Sequence, residues 1–242
     1  MSIYEKKYEV CYYDVDLFGK LKLSALMNFL GDIATEHSEK LGIGIEFQKE
    51  NNKAWVLYKW DIELNSNISY GEEITVRTDT YSFRKFYAYR TFEVLNSEGN
   101  IVAKAKSMWL MIDIERRRAI RVPKKICDAY NVSCDLELPM GNVRNFKGKE
   151  VGRFYTEYDH IDTNNHVNNV NYITWAINNT PMEKLEVLLP ENIIVIYKKE
   201  AKYKDLIRVE TEFLEEDNVG LYRFKNQEDE ELSIIEIKFS KK

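Results

Sequence analysis

The sequence predicts an α+β fold of two similar units in tandem, each a long helix packed on an antiparallel sheet, with the two sheets joined edge to edge into one. Three observations carry that expectation. A single helical stripe is followed by a run of alternating strands; the same order of elements returns in compressed form after the middle of the chain; and the 242 residues include 16 tyrosines, which suit strands better than a helical bundle. A chain of this length with 44% hydrophobic residues can bury a sizeable core.

The first helix is read from "KLSALMNFLGDIATEHSEKLG". Leu23, Leu26, Leu30, Ile33, Ala34, His37 and Leu41 fall on one helical face, and Gly42 stands where a helix stops. The stretch "AWVLYKWDIEL" then alternates, with Val56, Tyr58, Trp60, Ile62 and Leu64 on one face; "EEITVRTDTYSF", "FYAYRTFEVL" and "IVAKAKSMWLMID" continue as strands separated by turns such as "NSEGN". From Val122 to Glu150 the periodicity is lost, and two of the four prolines fall there. This segment reads as a linker with one short helical turn, which divides the chain into 1–121, 122–150 and 151–242.

Past the linker the expected elements are a strand near Arg153 to Glu157, a helix from about Val167 to Asn179, and strands near Ile193 to Lys199, Leu206 to Leu214, Gly220 to Lys225 and Leu232 to Phe239. The halves align as copies. Placing Asp16 on Asp162 sets Phe29 over Trp175 and Leu26 over Tyr172, and placing Tyr70 on Tyr203 sets "YGEEITV" over "YKDLIRV". Two such units bury each helix stripe on its sheet and hide two open sheet edges by joining. The copies differ where chemistry could sit, since His166 is matched by Lys20 and Asn168 by Lys22.

Composition removes several classes of function. The formal charge of −5 leaves no global basic field for nucleic acid. Cys11, Cys127 and Cys134 form no CxxC pair and are an odd number, which reads as reduced thiols in a cytoplasmic protein. "MSIYEKKYEV" has no apolar signal core and no run of about 18 apolar residues occurs, so neither export nor a membrane span is expected. The three histidines, His37, His160 and His166, are not part of any HxxxH or Cys/His cluster, so no metal is expected. No serine lies in a GxSxG elbow, "GIG" lacks the third glycine of a dinucleotide loop, and neither Gly19-Lys20 nor Gly148-Lys149 belongs to a phosphate loop. No cofactor is expected.

One segment stands out, "DTNNHVNNVNYITWA", Asp162 to Ala176. Asparagines in a turn bond nearby backbone and tolerate left-handed conformations, so Asn165, Asn168, Asn169 and Asn171 read as turn and cap chemistry. His166, at the expected mouth of the helix, is either a satisfied turn histidine or a group placed where unsatisfied amides favour negative charge. Asp162 and Asn164 could reach the same space.

The same run resembles the D-x-N-x-H-V-N-N-x-x-Y signature of plant and bacterial acyl-ACP thioesterases, a family with two tandem hotdog domains. "AWVLYKWDIEL", "SMWLMIDIERRRAIRVPKKI" and "IIVIYKKEAKYKD" are similar to further family stretches, in order and over nearly the whole chain. The resemblance implies that Asp162, Asn164 and His166 are catalytic and that Glu200 matches the family's further carboxylate, a residue that spacing alone would not single out. Plant members often carry Cys directly after that Glu; here the residue is Ala201, so no thiol nucleophile exists at that position. The expected reaction is hydrolysis of an acyl thioester on acyl carrier protein, which releases a free fatty acid and ends chain elongation. Either Glu200 activates a water oriented by Asn164 or Asp162 attacks directly, with the backbone amides of His166 to Asn168 and the His166 ring holding the oxyanion.

The resemblance also implies that the first repeat sets acyl-chain length. Acyl carrier protein bearing an acyl-phosphopantetheine is the implied partner, and the basic run Arg116, Arg117, Arg118, Arg121, Lys124 and Lys125 is either its docking site or a solvated turn. Other readings stay open: a thioesterase acting on acyl-CoA, a non-catalytic acyl-thioester-binding hotdog protein, or a dehydratase. A sensor acting on transcription would want a DNA-binding element, and none precedes the first strand. A homodimer also stays open, because fused repeats already supply the pairing that single hotdog units obtain by dimerising.

Overall fold

The computed structural model describes residues 3–132 and 135–242. Cys134 lies outside the described residues, and Cys11 is a free thiol. The chain divides into two compact units, Met1–Tyr58 with Leu64–Met140 and Lys59–Glu63 with Gly141–Lys242. Among the described residues no helix is long and apolar enough to cross a membrane.

The first unit contains β1 (Tyr4–Glu9), a 3-10 turn (Tyr12–Asp14), α1 (Leu23–Lys40), α2 (Ile45–Glu50), β2 (Lys53–Leu64, of which Lys59–Glu63 group with the other unit), β3 (Glu73–Arg84), β4 (Tyr87–Leu95), β5 (Ile101–Asp113), β6 (Arg118–Ala119) and α3 (Lys124–Tyr130). Its strands lie in the order β1-β3-β4-β5-β2, with β6 beside β5. The pairs β1–β3, β3–β4 and β4–β5 are antiparallel. The stripe read from the sequence is the buried face of α1: Leu30 and Ile33 are fully enclosed, and Leu23, Leu26, Ala34 and His37 are buried beside them. That face lies on β1 and β3. Gly42 ends the helix as expected, at φ +68°, a left-handed conformation that glycine adopts without Cβ strain.

The second unit opens on residues 59–63 of β2, which pair antiparallel with β8 (Leu188–Tyr197). It continues with β7 (Lys149–Tyr155), a 3-10 turn (Tyr158–His160), α4 (Val170–Asn178), α5 (Met182–Val187), β9 (Leu206–Leu214), β10 (Val219–Lys225) and β11 (Glu231–Lys241). The order from β8 outward is β11-β10-β9-β7, antiparallel throughout. The fold is therefore a helix-and-antiparallel-sheet unit repeated. The short helices α2 and α5 were not legible as periodic segments, because six residues make less than two turns.

β2 departs from simple alternation. Tyr58, expected inside, is 36% exposed, whereas Lys59 and Asp61 on the other face are 6% and 8% exposed. The end of the linker covers that face: Lys59 Nζ donates to Asn142 Oδ1 at 2.7 Å, and Asp61 Oδ2 accepts from the Gly141 amide at 2.8 Å. A Cβ at position 141 would stand 2.6 Å from Ile194 Cδ1, so a larger residue there has to displace that methyl group.

Under α1 lies a buried cation. Arg90 Nη1 contacts His37 Nδ1 at 3.0 Å and donates to Thr78 Oγ1 at 3.2 Å, while Nη2 donates to Tyr130 OH at 3.1 Å. Burial, and then the adjacent guanidinium, push the His37 pKa down to about 4. Its ring is therefore neutral and accepts the Arg90 proton. An unfolded chain, with His near its ordinary value of about 6.5, binds a proton that the folded chain refuses, so stability falls as pH drops from about 6.5 to about 4. His37 should thus contribute a loss on the order of 3 kcal/mol across that window. Urea unfolding of the wild type and His37→Gln at pH 7 and pH 4.5 checks this; the wild type should lose more stability than the variant.

Candidate active site

In the second unit the loop between β7 and α4 is built around one carboxylate. Asp162 Oδ1 accepts from the Asn164 amide at 2.8 Å and from the His166 amide at 3.5 Å; the Asp162 amide donates to the His166 carbonyl at 2.8 Å. Asn165 closes the turn at φ +62°, which asparagine tolerates better than most side chains. The Asn164 side-chain amide donates to Asp162 Oδ2 at 3.3 Å.

Two contacts then bring Glu200 to this loop. The Val167 amide donates to the Ala201 carbonyl at 2.8 Å, tying the loop to the segment that follows β8. Beside it, His166 Nε2 meets Glu200 Oε2 at 3.2 Å, with the histidine side chain 22% and the glutamate side chain 41% exposed. Asp162, Asn164, His166 and Glu200 thus form one connected group, in which Glu200 arrives from 34 positions downstream. Chain spacing carries no trace of that neighbour, since a backbone bond between distant segments delivers it.

Asn165 and Asn168 serve the turn as expected, whereas Asn169 makes no side-chain cap bond and Asn171 bonds a carbonyl outside the turn. Asn168 Oδ1 caps the Val170 amide at 3.1 Å, Asn171 Nδ2 donates to the His160 carbonyl at 2.9 Å, and the Asn169 carbonyl accepts from Tyr197 OH at 3.0 Å. One expectation needs correction. α4 begins at Val170 rather than near Val167, and the amides of His166, Val167 and Asn168 do not point at a ligand: they are taken by Asp162 Oδ1, the Ala201 carbonyl and the His160 carbonyl. An amide that already has an acceptor has no proton left for an oxyanion.

The first repeat holds the same loop without the same chemistry. The Asp16 amide donates to the Lys20 carbonyl at 2.8 Å, Asp16 Oδ1 accepts from the Phe18 and Lys20 amides at 2.9 Å, Gly19 turns at φ +71°, and the Leu21 amide donates to the Ile68 carbonyl at 2.8 Å. In this framework Phe18 stands where the second copy has Asn164, Lys20 stands for His166, and Asn67 stands for Glu200. Lys20 Nζ bonds Ser69 Oγ at 3.1 Å.

The basic run lies elsewhere. Arg116, Arg117 and Arg118 occupy the β5–β6 turn and β6, while Arg121, Lys124 and Lys125 lie just before and at the start of α3; all six are exposed in the first unit. Lys125 Nζ sits 4.6 Å from the Phe47 ring centroid.

Two helix-and-sheet repeats with a polar cluster in one of them define a double-hotdog protein with one developed site. Comparison with known proteins is consistent with that class. The family described as "Acyl-ACP thioesterase N-terminal domain" matches residues 1–130, and "Acyl-ACP thioesterase C-terminal domain" matches residues 144–241. The chain belongs to the acyl-ACP thioesterase family. Among curated relatives, oleoyl-acyl carrier protein thioesterase 1, chloroplastic, of Arabidopsis thaliana is 24% identical over 224 residues, covering 84% of this chain. The chain spans 62% of that relative's length. Among solved structures, an acyl-ACP thioesterase from Bacteroides thetaiotaomicron superposes with a TM-score of 0.90 at 24% identity, covering 98% of each chain. The 12:0-ACP thioesterase from Umbellularia californica superposes at 0.88 with 14% identity, covering 99% of this chain and 98% of that one.

Because Asp16 and Asp162 hold equivalent turns, Asp16→Ala and Asp162→Ala should destabilise the fold to a similar degree, about 1–2 kcal/mol each. Urea unfolding of the two variants beside the wild type measures this.

Proposed function

We propose that the chain hydrolyses the thioester of an acyl chain carried on acyl carrier protein, releasing a free fatty acid and ending elongation of that chain. The observation that carries the reading is the His166–Glu200 pair at 3.2 Å, set beside Asn164 in a chain of this family. In the proposed mechanism Glu200 is the general base. His166 Nε2–H donates to one carboxylate oxygen and orients the group; the other oxygen takes a proton as water attacks the thioester carbonyl carbon. The Asn164 side chain gives one N–H to Asp162 and offers the second to the oxyanion. Collapse of the tetrahedral intermediate breaks the C–S bond, and the proton held by Glu200 passes to the departing thiolate.

This route is preferred over direct attack by Asp162. The Asp162 carboxylate is engaged by loop amides and by Asn164, and Asp16 makes the matching backbone bonds in a copy without the histidine or the glutamate. We assign Asp162 the part of orienting Asn164. By resemblance to the family, residues 1–121 receive the acyl chain and set its length, 122–150 connect, and 151–242 carry the chemistry. The exposed basic run from Arg116 to Lys125 suits an acidic carrier, and the free thiol of Cys11 suits a cytoplasmic setting.

Release of free thiol from a panel of acyl-ACPs of different chain length, with acyl-CoAs beside them, tests the reading. Hydrolysis of the ACP esters is expected, and turnover of CoA esters alone would replace the carrier. Glu200→Gln should lower kcat by roughly 10²–10⁴-fold, and Asn164→Ala by roughly 10²–10³-fold. Asp16→Ala should retain turnover; wild-type rates in both site variants would overturn the assignment. If the basic run docks the carrier, kcat/KM on acyl-ACP should fall with rising salt, and Arg117→Glu with Arg118→Glu should lower it while kcat at saturation changes little. A salt-independent kcat/KM would remove the docking role.

A further inference from the structure

The turn that follows Glu200 and its counterpart after Asn67 share one backbone plan. In the first repeat the Val10 amide donates to the Glu72 carbonyl and the Gly71 amide to the Val10 carbonyl, both at 2.9 Å. In the second the Thr156 amide donates to the Asp205 carbonyl at 3.0 Å and the Lys204 amide to the Thr156 carbonyl at 3.2 Å. The carboxylate that closes each turn accepts the amide three positions back: Glu72 from Ser69 at 3.1 Å, Asp205 from Lys202 at 2.8 Å. The second turn has two further bonds, because the Thr156 hydroxyl donates to the Lys202 carbonyl and accepts from the Asp205 amide at 3.0 Å, where the first repeat has Val10.

On that shared backbone the side chains differ in charge. Lys198, Lys199, Lys202 and Lys204 of the second repeat stand where the first has Asn65, Ser66, Ser69 and Gly71. Lys198 and Lys199 are paired with Glu231 and Glu230. Lys202 and Lys204 are exposed and, among the described residues, pair with no carboxylate; Lys204 Nζ lies 5.4 Å from the Tyr203 ring centroid. Lys204 holds φ +68° where Gly71 holds +80°, so a residue with a Cβ occupies a left-handed position that glycine fills without strain. Strain accepted for a lysine only in the copy that has His166 and Glu200 points to a use for its charge. Both lysines lie within four residues of Glu200, which chain geometry limits to about 14 Å between Cα atoms. The bond from the Val167 amide to the Ala201 carbonyl ties the same segment to the His166 loop.

We propose that Lys202 and Lys204 form an anion site for the phosphate of the acyl-phosphopantetheine arm, holding it by charge while the thioester at the arm's other end lies against Glu200. The inference rests on the thioesterase reading and deepens it, since that arm is negatively charged at its phosphate whichever acyl chain it bears. Two lysines flanking one residue of a pinned turn fit a single phosphate more closely than an extended acidic protein face, and an ammonium binds phosphate as a point charge. The basic run of the first unit is the surface assigned to the carrier itself, so the two sites have different ligands. No bond is made or broken at the lysines; they bind and orient the arm.

The test compares acyl-pantetheine with acyl-phosphopantetheine, both bearing the acyl chain that the wild type hydrolyses fastest on ACP. It uses the wild type and a double variant, Lys202→Ser with Lys204→Gly, which installs the residues of the first repeat. The wild type should show a higher kcat/KM on the phosphorylated arm, and in the variant that preference should fall by about 5-fold, through KM rather than kcat. Tm should change little, because glycine suits the left-handed position. A wild type that is indifferent to the phosphate, or that acts on acyl-ACP and on neither free arm, overturns the inference while the thioesterase reading stands. A variant whose preference is unmoved, or which loses equally on both arms, does the same. So does a variant slowed on acyl-ACP alone, which would assign the lysines to the carrier's acidic surface instead. A wild type that hydrolyses no acyl thioester, on ACP or on either arm, defeats the reading itself, and the inference with it.

Discussion

An aspartate carboxylate gripping the amides of its own loop is the constraint on which the rest of this site depends. Asp162 folds residues 162–166 back on themselves, so that the His166 carbonyl meets the Asp162 amide. The next amide, that of Val167, then reaches the Ala201 carbonyl, and this single backbone bond places Glu200 beside the ring. Without the turn, histidine and glutamate belong to unrelated stretches of chain. With it, a ring nitrogen and a carboxylate oxygen stand 3.2 Å apart.

The duplicated architecture separates framework from chemistry inside one molecule. Residues with the same contacts in both copies, such as Asp16 with Asp162, Gly19 with Asn165 and Glu72 with Asp205, keep turns and backbone pairing in place. Residues that differ, Phe18 against Asn164, Lys20 against His166, Asn67 against Glu200 and Leu26 against Tyr172, leave the backbone alone and change what the loop and helix present. The backbone bonds of the turn are therefore the same in both copies although the side chains at these positions differ. The same comparison distinguishes Asp162, a carboxylate committed to structure, from Glu200, a carboxylate that only the developed copy has.

Much of the fold was legible in the chain. The α1 stripe is a run of apolar residues at helical spacing and is buried as read, and the strand from Leu206 to Leu214 has the boundaries expected of it, since its alternation is bounded by turn residues. Legibility failed where local pattern competes with side chain to backbone bonding. α4 starts later than its apolar run suggests because Asn168 caps Val170 and the preceding amides are drawn into the loop. It failed again at β2, where the face opposite Trp60 and Ile62 carries Lys59 and Asp61, which are covered by the returning linker through Asn142 and Gly141.

The sequence by itself determined the two helix-and-sheet repeats, an asparagine-rich turn before α4, and the place of His166 within it, because hydrophobic period and turn chemistry act over a few neighbouring residues. Only the tertiary structure decided which carboxylate faces His166 and which loop amides are already spent. Those outcomes depend on strand register and on packing between segments far apart in the chain, and no local pattern of residues encodes either.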